Sequence, residues 1–327
     1  MKKLLIFIAF FILILLWSGI YFPKNSKITD DKIFLIKKGD NLFQIAQNLE
    51  EEGLIRNRFL FDFYVILKGK ERKLQAGEYL LSPAMNSGQI AKKIILGDTA
   101  KEILTIIEGW NVRDIGSYFE EKMICQSEDF LEIISNDFSQ EFSFLTDKPK
   151  KLNLEGYFFP DTYEINRGIE IGEIVDKILN NFDKKLTQDL RDEIQKQKKT
   201  IFEIVTMASL IEKEVRNLED KKIVSGILWK RLKSGMPLQV DATISYITGK
   251  KTTQVSIEET KIDSLYNTYK YRGLPLGPIS NPGLESILAA IYPEENPYWY
   301  YLSTPEGKTI FSKTLEEHNI AKAAYLK

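Results

Sequence analysis

The chain has 327 residues, of which 43% are hydrophobic and 28% charged, and its formal net charge is −1. These fractions are typical of a globular protein with two or three domains, and the near-neutral charge argues against a nucleic-acid partner, because phosphate binding requires a basic surface. The single cysteine, Cys125, and the single histidine, His318, exclude an intramolecular disulfide and a Cys/His zinc cluster, and they argue against a Ser-His or Cys-His nucleophile. Carboxylates remain as the acid-base candidates.

The N-terminus predicts a membrane anchor. Residues 4–22 carry no charge, and as a helix they would be roughly 28 Å long, close to the thickness of the bilayer hydrocarbon. Two lysines precede them, so residues 1–3 are expected to stay in the cytoplasm. We therefore predict a single-pass protein of the cell (cytoplasmic) membrane, with a linker at 23–31 and all later residues outside the cytoplasm. The alternative is a secretory signal that is cleaved off. A cleavage site requires small residues at two alternate positions, and bulky residues surround the small pair at 18–19, so this alternative is disfavoured.

An internal repeat organises the first half of the chain. Residues 38–51 and 108–121 align at an offset of 70 and share Gly, Asn, Ile and two Glu. Each copy follows a β-branched apolar run and has apolar residues at helical spacing, so each predicts a strand, a glycine turn and a capped helix.

The first copy continues with a predicted helix at about 58–67, a strand at 77–81 and a helix at 87–96. The strand, helix, helix, strand order, with KGDNL at its first turn, resembles a LysM module. LysM modules bind glycans that contain N-acetylglucosamine, so the resemblance implies a cell-wall binding role for residues 32–100. The alternative is a structural subdomain that only shares the fold. Residues 101–152 hold the second strand-helix unit and a connection without periodicity, and the third domain is expected at 153–327.

A helix predicted from Thr200 carries the candidate catalytic groups. Its apolar positions follow helical spacing. Glu212 falls in the middle of the apolar face that they form, whereas Glu214 lies some 120° away from the middle of that face around the helix axis. A carboxylate held against apolar surface has a raised pKa and can act as a general acid, and spacing alone favours Glu212. The alternative is an exposed helix end, with Glu212 and Arg216 forming a weak i,i+4 pair.

Five ordered sequence blocks, spread over most of the chain, resemble those of the YceG/MltG family of endolytic murein transglycosylases. The signature helix is TMASLIEKE at residues 206–214. The other blocks are LEGYFFPDTY at 154–163, LQVDAT at 238–243, YNTY at 266–269 with GLPLGPISNPG at 273–283, and HN at 318–319. Matching the signature helix residue by residue implies that Glu214 is catalytic, with Glu212 as the second candidate or as a buried partner that positions the site.

The resemblance implies a lyase that needs one carboxyl group and neither metal nor cofactor. In a lytic transglycosylase the 6-hydroxyl of N-acetylmuramic acid attacks the anomeric carbon and forms a 1,6-anhydro end, so that the substrate supplies its own nucleophile. Glu214 would first protonate the glycosidic oxygen and then accept the proton of the 6-hydroxyl.

Other polar residues of these blocks are candidate substrate contacts. Gln239, Asp241 and Asn267 are predicted to bind hydroxyl or N-acetyl groups beside the glutamate or to support the site. For Asp241 the alternative is a helix N-cap. The segment at 273–283 must form a loop, because its Gly and Pro residues cannot continue a helix or a strand. His318 is expected on a terminal helix, in a surface or packing role.

Aromatic residues cluster in two places. Of Tyr157, Phe158, Phe159 and Tyr163 we expect at least two in the core, although such rings can also stack on sugars. The run at 299–301 precedes a Thr-Pro-Glu-Gly turn and an apolar run at 309–311, and predicts a hairpin.

The expected protein is of the α+β class: a transmembrane helix, a LysM-like βααβ subdomain with a related second strand-helix unit, and a mixed α/β catalytic domain. The leading function is cleavage of the bond between N-acetylmuramic acid and N-acetylglucosamine in nascent peptidoglycan, which terminates strand elongation. Two alternatives stay open. One is a hydrolase that leaves reducing ends, and the other is a non-catalytic membrane-bound scaffold that holds glycan and recruits cell-wall synthesis enzymes.

Overall fold

The computed structural model describes Lys3, Phe7, Phe10 and residues 18–250 and 255–325. The described part is a mixed α+β fold, as the sequence predicts. The predicted membrane span at residues 4–22 lies largely outside the described residues. Within the described part, we find no helix that is both long enough and apolar enough to cross a bilayer.

Helices dominate the described residues, and the strands are short. The helices are α1 (Leu42–Glu51), α2 (Arg58–Leu67), α3 (Ser87–Leu96), α4 (Val112–Glu121), α5 (Ser127–Ile133), α6 (Ile171–Lys185), α7 (Gln188–Lys196), α8 (Ile201–Glu214), α9 (Leu218–Lys233), α10 (Asp241–Thr248), α11 (Leu284–Ile291) and α12 (Leu315–Tyr325). The strands are β1 (Lys32–Ile36), β2 (Gly77–Leu81), β3 (Lys101–Thr105), β4 (Thr162–Asn166), β5 (Tyr300–Ser303) and β6 (Thr309–Ser312). Each strand pairs within a two-stranded sheet, as β1 with β2, β3 with β4, and β5 with β6.

The chain divides into two compact units that are not contiguous in sequence. The first unit contains Met1–Leu104 and Glu164–Glu170, and the second contains Thr105–Tyr163 and Ile171–Lys327. The late segment belongs to the first unit through Arg167, whose backbone N–H donates to the Ala100 carbonyl at 2.8 Å and whose Nε lies 3.4 Å from a Glu78 carboxylate oxygen. The first unit is therefore completed by residues that lie some sixty positions after its main part.

The first unit confirms the predicted order of strand, helix, helix, strand. Strands β1 and β2 are antiparallel, with Lys32 opposite Leu81, and helices α1 and α2 lie between them in sequence. Alternate residues of the two strands face inward, so Phe34 and Tyr79 are buried in one core with the apolar faces of α1, α2 and α3. This burial is the main source of the unit's stability.

The two copies of the internal repeat share their local structure. The turn glycines, Gly39 and Gly109, have φ values of 98° and 78°, a region that side chains with a Cβ rarely occupy. Asn41 and Asn111 then cap α1 and α4 through their side chains, and each donates a reciprocal bond from its backbone N–H to the side chain of the third helical residue. The predicted strand, glycine turn and capped helix is confirmed in both copies.

Aromatic side chains build the core of the second unit. Tyr157, Phe158, Phe159 and Tyr163 are all buried, which confirms that this block belongs to the core rather than to an open sugar platform. The aperiodic stretch at 125–152 also contributes, because α5 and a 3₁₀ turn (Ser143–Leu145) lie within it and bury further phenylalanines. Helix α5 has seven residues, too few for its periodicity to show in the sequence.

Gly156 leads to the first prediction. Its φ is +91°, and a Cβ at this position would lie 2.6 Å from Pro278 and 2.8 Å from Val205. Gly156→Ala should therefore lower the free energy of unfolding by about 1–3 kcal/mol through strain and overpacking. Chemical denaturation measures this change. Gly172→Ala, where a Cβ would meet no atom within 4 Å, is the matched control, and equal stability of the two variants would contradict the prediction.

Candidate active site

Helix α8 carries both candidate glutamates on its last turn. Thr200 caps the helix and exchanges hydrogen bonds with Glu203, which confirms the predicted start. The helix ends at Glu214, because Val215 has extended backbone angles of −144° and 153°. The neighbouring segments that approach this end come from α9, α10, α11 and the β5–β6 hairpin.

Glu212 is buried and paired within the protein. Its Oε2 accepts hydrogen bonds from the Gly283 backbone N–H at 2.9 Å and from the Ser286 hydroxyl at 2.7 Å, and its Oε1 lies 3.5 Å from Lys221 Nζ. The side chains of Glu212 and Lys221 are 8% and 2% exposed. Helical spacing predicts Glu212 on the buried face of α8, and the structure confirms this prediction. The alternative pair with Arg216 is wrong, because the helix ends before residue 216 and Glu212 pairs with Lys221 on α9.

Glu214 is half-buried in a different environment. Burial raises the pKa of its carboxyl to about 7, and the negative charge of Asp241 adds to the rise. A hydrogen bond from the Tyr301 hydroxyl, the charge of Arg231 and the backbone N–H of Ala242 oppose it, since each favours the ionised form. The carboxyl can therefore hold a proton at neutral pH and also lose it, which is what a residue that acts in turn as acid and base requires.

Tyr301 and Arg231 are neighbours of Glu214 that the sequence reasoning missed. Tyr301 lies on the predicted hairpin, which the structure confirms as antiparallel β5 and β6, with Tyr301 opposite Phe311. Arg231 is almost fully buried, and it donates to the carbonyls of Trp299 at 2.8 Å and Leu238 at 2.7 Å. Arg231 thus ties the hairpin to the segment before α10. A sequence signal existed, because Arg231 continues the apolar face of its helix at the spacing that a core residue would take.

The N-terminus of α10 lies beside Glu214. Asp241 is the first residue of this helix rather than its N-cap, so the capping alternative is wrong. The cap position is Val240, which makes no side-chain capping bond. Asp241 instead accepts a hydrogen bond from the Tyr269 hydroxyl through Oδ1. This contact directs the Asp241 carboxylate to the YNTY block. The Asp241 charge raises the pKa of Glu214, and the Glu214 charge contributes to the raised pKa of Tyr269.

Gln239 and Asn267 lie in contrasting environments. Gln239 is exposed, and its φ of 54° is unusual for a residue with a side chain. Its backbone N–H donates to the Thr268 carbonyl at 3.1 Å, which holds this strained position in place. Asn267 is fully buried, and its amide donates to the carbonyls of Thr260 and Ile262 while its oxygen accepts from two backbone N–H groups. The Asn267 side chain is thus hydrogen-bonded within the protein on both its nitrogen and its oxygen.

The segment at 273–283 forms a loop, as its Gly and Pro content predicts, and the loop packs on α8. The Ser209 hydroxyl of α8 accepts from the Ile279 backbone N–H at 3.0 Å, and the Ser280 hydroxyl donates to the Ser209 carbonyl at 3.1 Å. Asn281 is buried and accepts a hydrogen bond from the Phe158 N–H while its amide donates to the Trp110 carbonyl. These bonds connect the sequence blocks into one framework.

Glu155 is a second buried carboxyl in this framework. It is 3% exposed, and burial raises its pKa to about 8. Its oxygens accept from the Val112 backbone N–H at the start of α4, from the Asn281 amide and from the Tyr246 hydroxyl. These partners occupy both oxygens, so Glu155 links α4, the loop and α10 instead of facing a substrate.

His318 has the packing role that the sequence predicts. It lies on α12, and its ring stacks on Tyr300 with 5.3 Å between the ring centroids. Burial lowers its pKa, which favours the neutral ring. The site as a whole is therefore built around one half-buried carboxyl, Glu214, with an arginine, a tyrosine and a helix N-terminus beside it.

Comparison with known proteins gives the family of this chain. The model of the YceG-like family matches residues 34–324, so the chain belongs to the YceG-like family. A protein of Bacillus subtilis named endolytic murein transglycosylase is 34% identical over 316 residues, which cover 93% of this chain and 86% of that protein. A protein of the same name from Streptococcus pneumoniae is 31% identical over 87% of this chain and 56% of its own length.

A solved structure agrees with this assignment. The crystal structure of a YceG-like protein from Listeria monocytogenes matches with a TM-score of 0.63 and 34% identity. The match covers 90% of this chain and 99% of that chain. The resemblance noted in the sequence blocks is confirmed.

Proposed function

We propose that this protein is an endolytic murein transglycosylase, a lyase that cuts the glycan strands of peptidoglycan internally. The family and the names of its relatives support this function. The observation that carries it at the level of chemistry is the environment of Glu214, where burial places the carboxyl pKa near 7 and three groups stabilise its anion.

The proposed reaction uses Glu214 twice. Protonated Glu214 donates to the glycosidic oxygen between N-acetylmuramic acid and N-acetylglucosamine, and the bond from that oxygen to the anomeric carbon breaks. The 6-hydroxyl oxygen of the muramic acid bonds to the anomeric carbon, and its proton passes to the Glu214 carboxylate. The residue is thereby restored without water. Between the two transfers, Tyr301, Arg231 and the Ala242 N–H stabilise the carboxylate.

Mass spectrometry of digested peptidoglycan tests the reaction class. We expect products that end in 1,6-anhydro-N-acetylmuramic acid, one water lighter than reducing ends. A hydrolase is the second candidate, and a specific observation favours it: Asp241 supplies a second carboxylate near Glu214, as two-carboxylate glycosidases require. Products with only reducing ends would refute the transglycosylase mechanism and support the hydrolase.

We further propose the finer assignments of the sequence analysis. Residues 4–22 anchor the chain once in the cytoplasmic membrane, residues 32–100 form the LysM-like subdomain that binds glycan, 101–152 form the second strand-helix unit, and 153–327 form the catalytic domain. Gln239 and Asp241 contact the glycan. At the membrane the enzyme would end the elongation of nascent strands, beside cell-wall synthesis enzymes as partners. The alternative of a silent scaffold predicts glycan binding without any cleaved product.

Tyr301→Phe should move the alkaline limb of the pH–activity profile to higher pH. Glu214 must be protonated to act as the acid, so activity is expected to fall as pH rises through its pKa of about 7. The Tyr301 hydroxyl lowers that pKa, and its removal should therefore raise it. Rates of anhydro-product release measured from pH 5 to pH 9 give the limb. Tyr298→Phe, which alters a hairpin tyrosine stacked on Phe311, is the control. An alkaline limb at the same pH in Tyr301→Phe as in the unaltered protein would contradict the hydrogen bond from Tyr301 to Glu214.

A further inference from the structure

Helix α2 of the first unit presents an apolar surface to solvent. Phe59, Phe63, Ile66 and Leu67 are 66%, 46%, 51% and 68% exposed, and their spacing places them on one face of the helix. We call these four residues the α2 stripe. The opposite face of α2 buries Phe61 in the core of the unit. A helix that is apolar on both sides has a second hydrophobic surface still to be covered.

Cations surround the α2 stripe. Segment 56–73 contains six arginines and lysines and two acidic residues. One of the acidic residues, Asp62, is buried, and burial raises its pKa. Arg58 lies over the Phe59 ring at 4.9 Å from the centroid, and Lys68 lies over the Tyr64 ring at 5.9 Å. An apolar helix face with basic residues at its ends is the pattern of helices that lie in the interface of anionic membranes.

The chain that precedes β1 is held against this helix. Residues 18–21 are helical, and Gly19 lies against the Leu60 side chain of α2. The Tyr21 ring meets the Tyr64 ring edge to face, with 6.3 Å between centroids. Arg56 Nε then donates to the Pro23 carbonyl at 3.0 Å. The end of the proposed membrane span thus packs against α2, the same helix that carries the stripe.

We propose that the α2 stripe docks on the outer surface of a bilayer that contains anionic phospholipid. Phe59, Phe63 and Leu67 enter the boundary between head groups and acyl chains, and the flanking cations contact lipid phosphates. The stripe side chains carry no hydrogen-bonding group, so sugar hydroxyls would gain no partner from them, whereas acyl chains need none. This docking goes beyond glycan cleavage, and from the proposed function it takes only the anchor at 4–22.

Lipid-quenching fluorescence tests the docking on the full chain in proteoliposomes. Cys125→Ser removes the single cysteine, and Phe63→Cys then gives one site for a bimane label. Leu96→Cys is the control, because Leu96 is as exposed as the stripe but lies on α3. In phosphatidylglycerol vesicles that contain nitroxide-labelled lipid, we expect quenching at residue 63 to be severalfold greater than at residue 96. Adding Lys68→Glu and Lys70→Glu should weaken it.

Three results would overturn the docking. The first is equal quenching at residues 63 and 96. The second is protection of the residue 63 label by N-acetylglucosamine oligomers with no lipid quenching, which would make the stripe a glycan surface. The third is a disulfide between two unlabelled Phe63→Cys chains with no lipid quenching, which would make it a dimer contact. Release of the chain by an alkaline wash would refute the anchor alone, since quenching at neutral pH still reports on the stripe.

Discussion

Glu214→Gln is expected to lower the rate of glycan cleavage by about 10²- to 10⁴-fold, the usual contribution of a general acid and base. Gln has nearly the same size but can neither donate the proton to the glycosidic oxygen nor accept one from the 6-hydroxyl. Release of soluble fragments from purified peptidoglycan measures the rate. The fold should survive, because the substitution removes a charge from a half-buried site that burial already disfavours.

The control for this prediction is a matched change on an exposed carboxylate. Glu219→Gln alters a side chain that is 73% exposed on α9 and forms a surface pair with Lys222. Its activity should equal that of the unaltered protein. Full activity of Glu214→Gln would refute the assignment of this residue, and a scaffold without catalysis would show no cleavage in any of the proteins compared.

Lys221→Met should cost about 3–5 kcal/mol of unfolding free energy, the range for breaking a buried ion pair by removing one partner. Lys221 Nζ lies 3.5 Å from Glu212 and 3.8 Å from Glu285. Without the ammonium, the buried Glu212 carboxylate keeps its bonds to Gly283 and Ser286 but loses its compensating charge. The nearby Glu108 adds to the loss of stability. The Glu212 charge already raises the pKa of Glu108, and among the causes only burial raises it more. Urea denaturation measures the loss.

A double variant separates charge from packing. Lys221→Met with Glu212→Gln removes both charges and should recover part of the loss, whereas Lys222→Met on the surface should change stability by less than about 1 kcal/mol. Glu212→Gln alone also tests the second catalytic candidate. If the activity per folded molecule fell as far as that of Glu214→Gln, the chemistry would require Glu212 as well as Glu214.

Local sequence signals predicted the elements well. The offset of 70 between the repeats located two glycine turns and two asparagine caps, because a cap is a contact between residues only three positions apart. Likewise, helical spacing gave the boundaries of α2, α3 and the start of α8. The seven-residue α5 was missed, since two turns of helix hold too few apolar positions to reveal a period.

The site was harder to predict because it depends on contacts between distant segments. Spacing identified Glu212 as the buried carboxylate, yet nothing local shows that its partner is Lys221, on the next helix. Tyr301 meets Glu214 across 87 positions of sequence. Arg231 lies at the helical spacing of a core residue, but the local sequence does not show that it bonds to Trp299 and Leu238. Asp241 has the sequence form of a cap, but the helix begins one residue earlier than that role requires.

The return of residues 164–170 to the first unit sets an order of assembly. A chain is synthesised from its N-terminus, so β1, β2 and their helices are complete long before Arg167 can reach Ala100 and Glu78. The first unit therefore stays incomplete until half of the polypeptide has been synthesised. A fragment cut after residue 104 would keep that incomplete edge permanently, and any isolated version of the unit needs the later segment supplied with it.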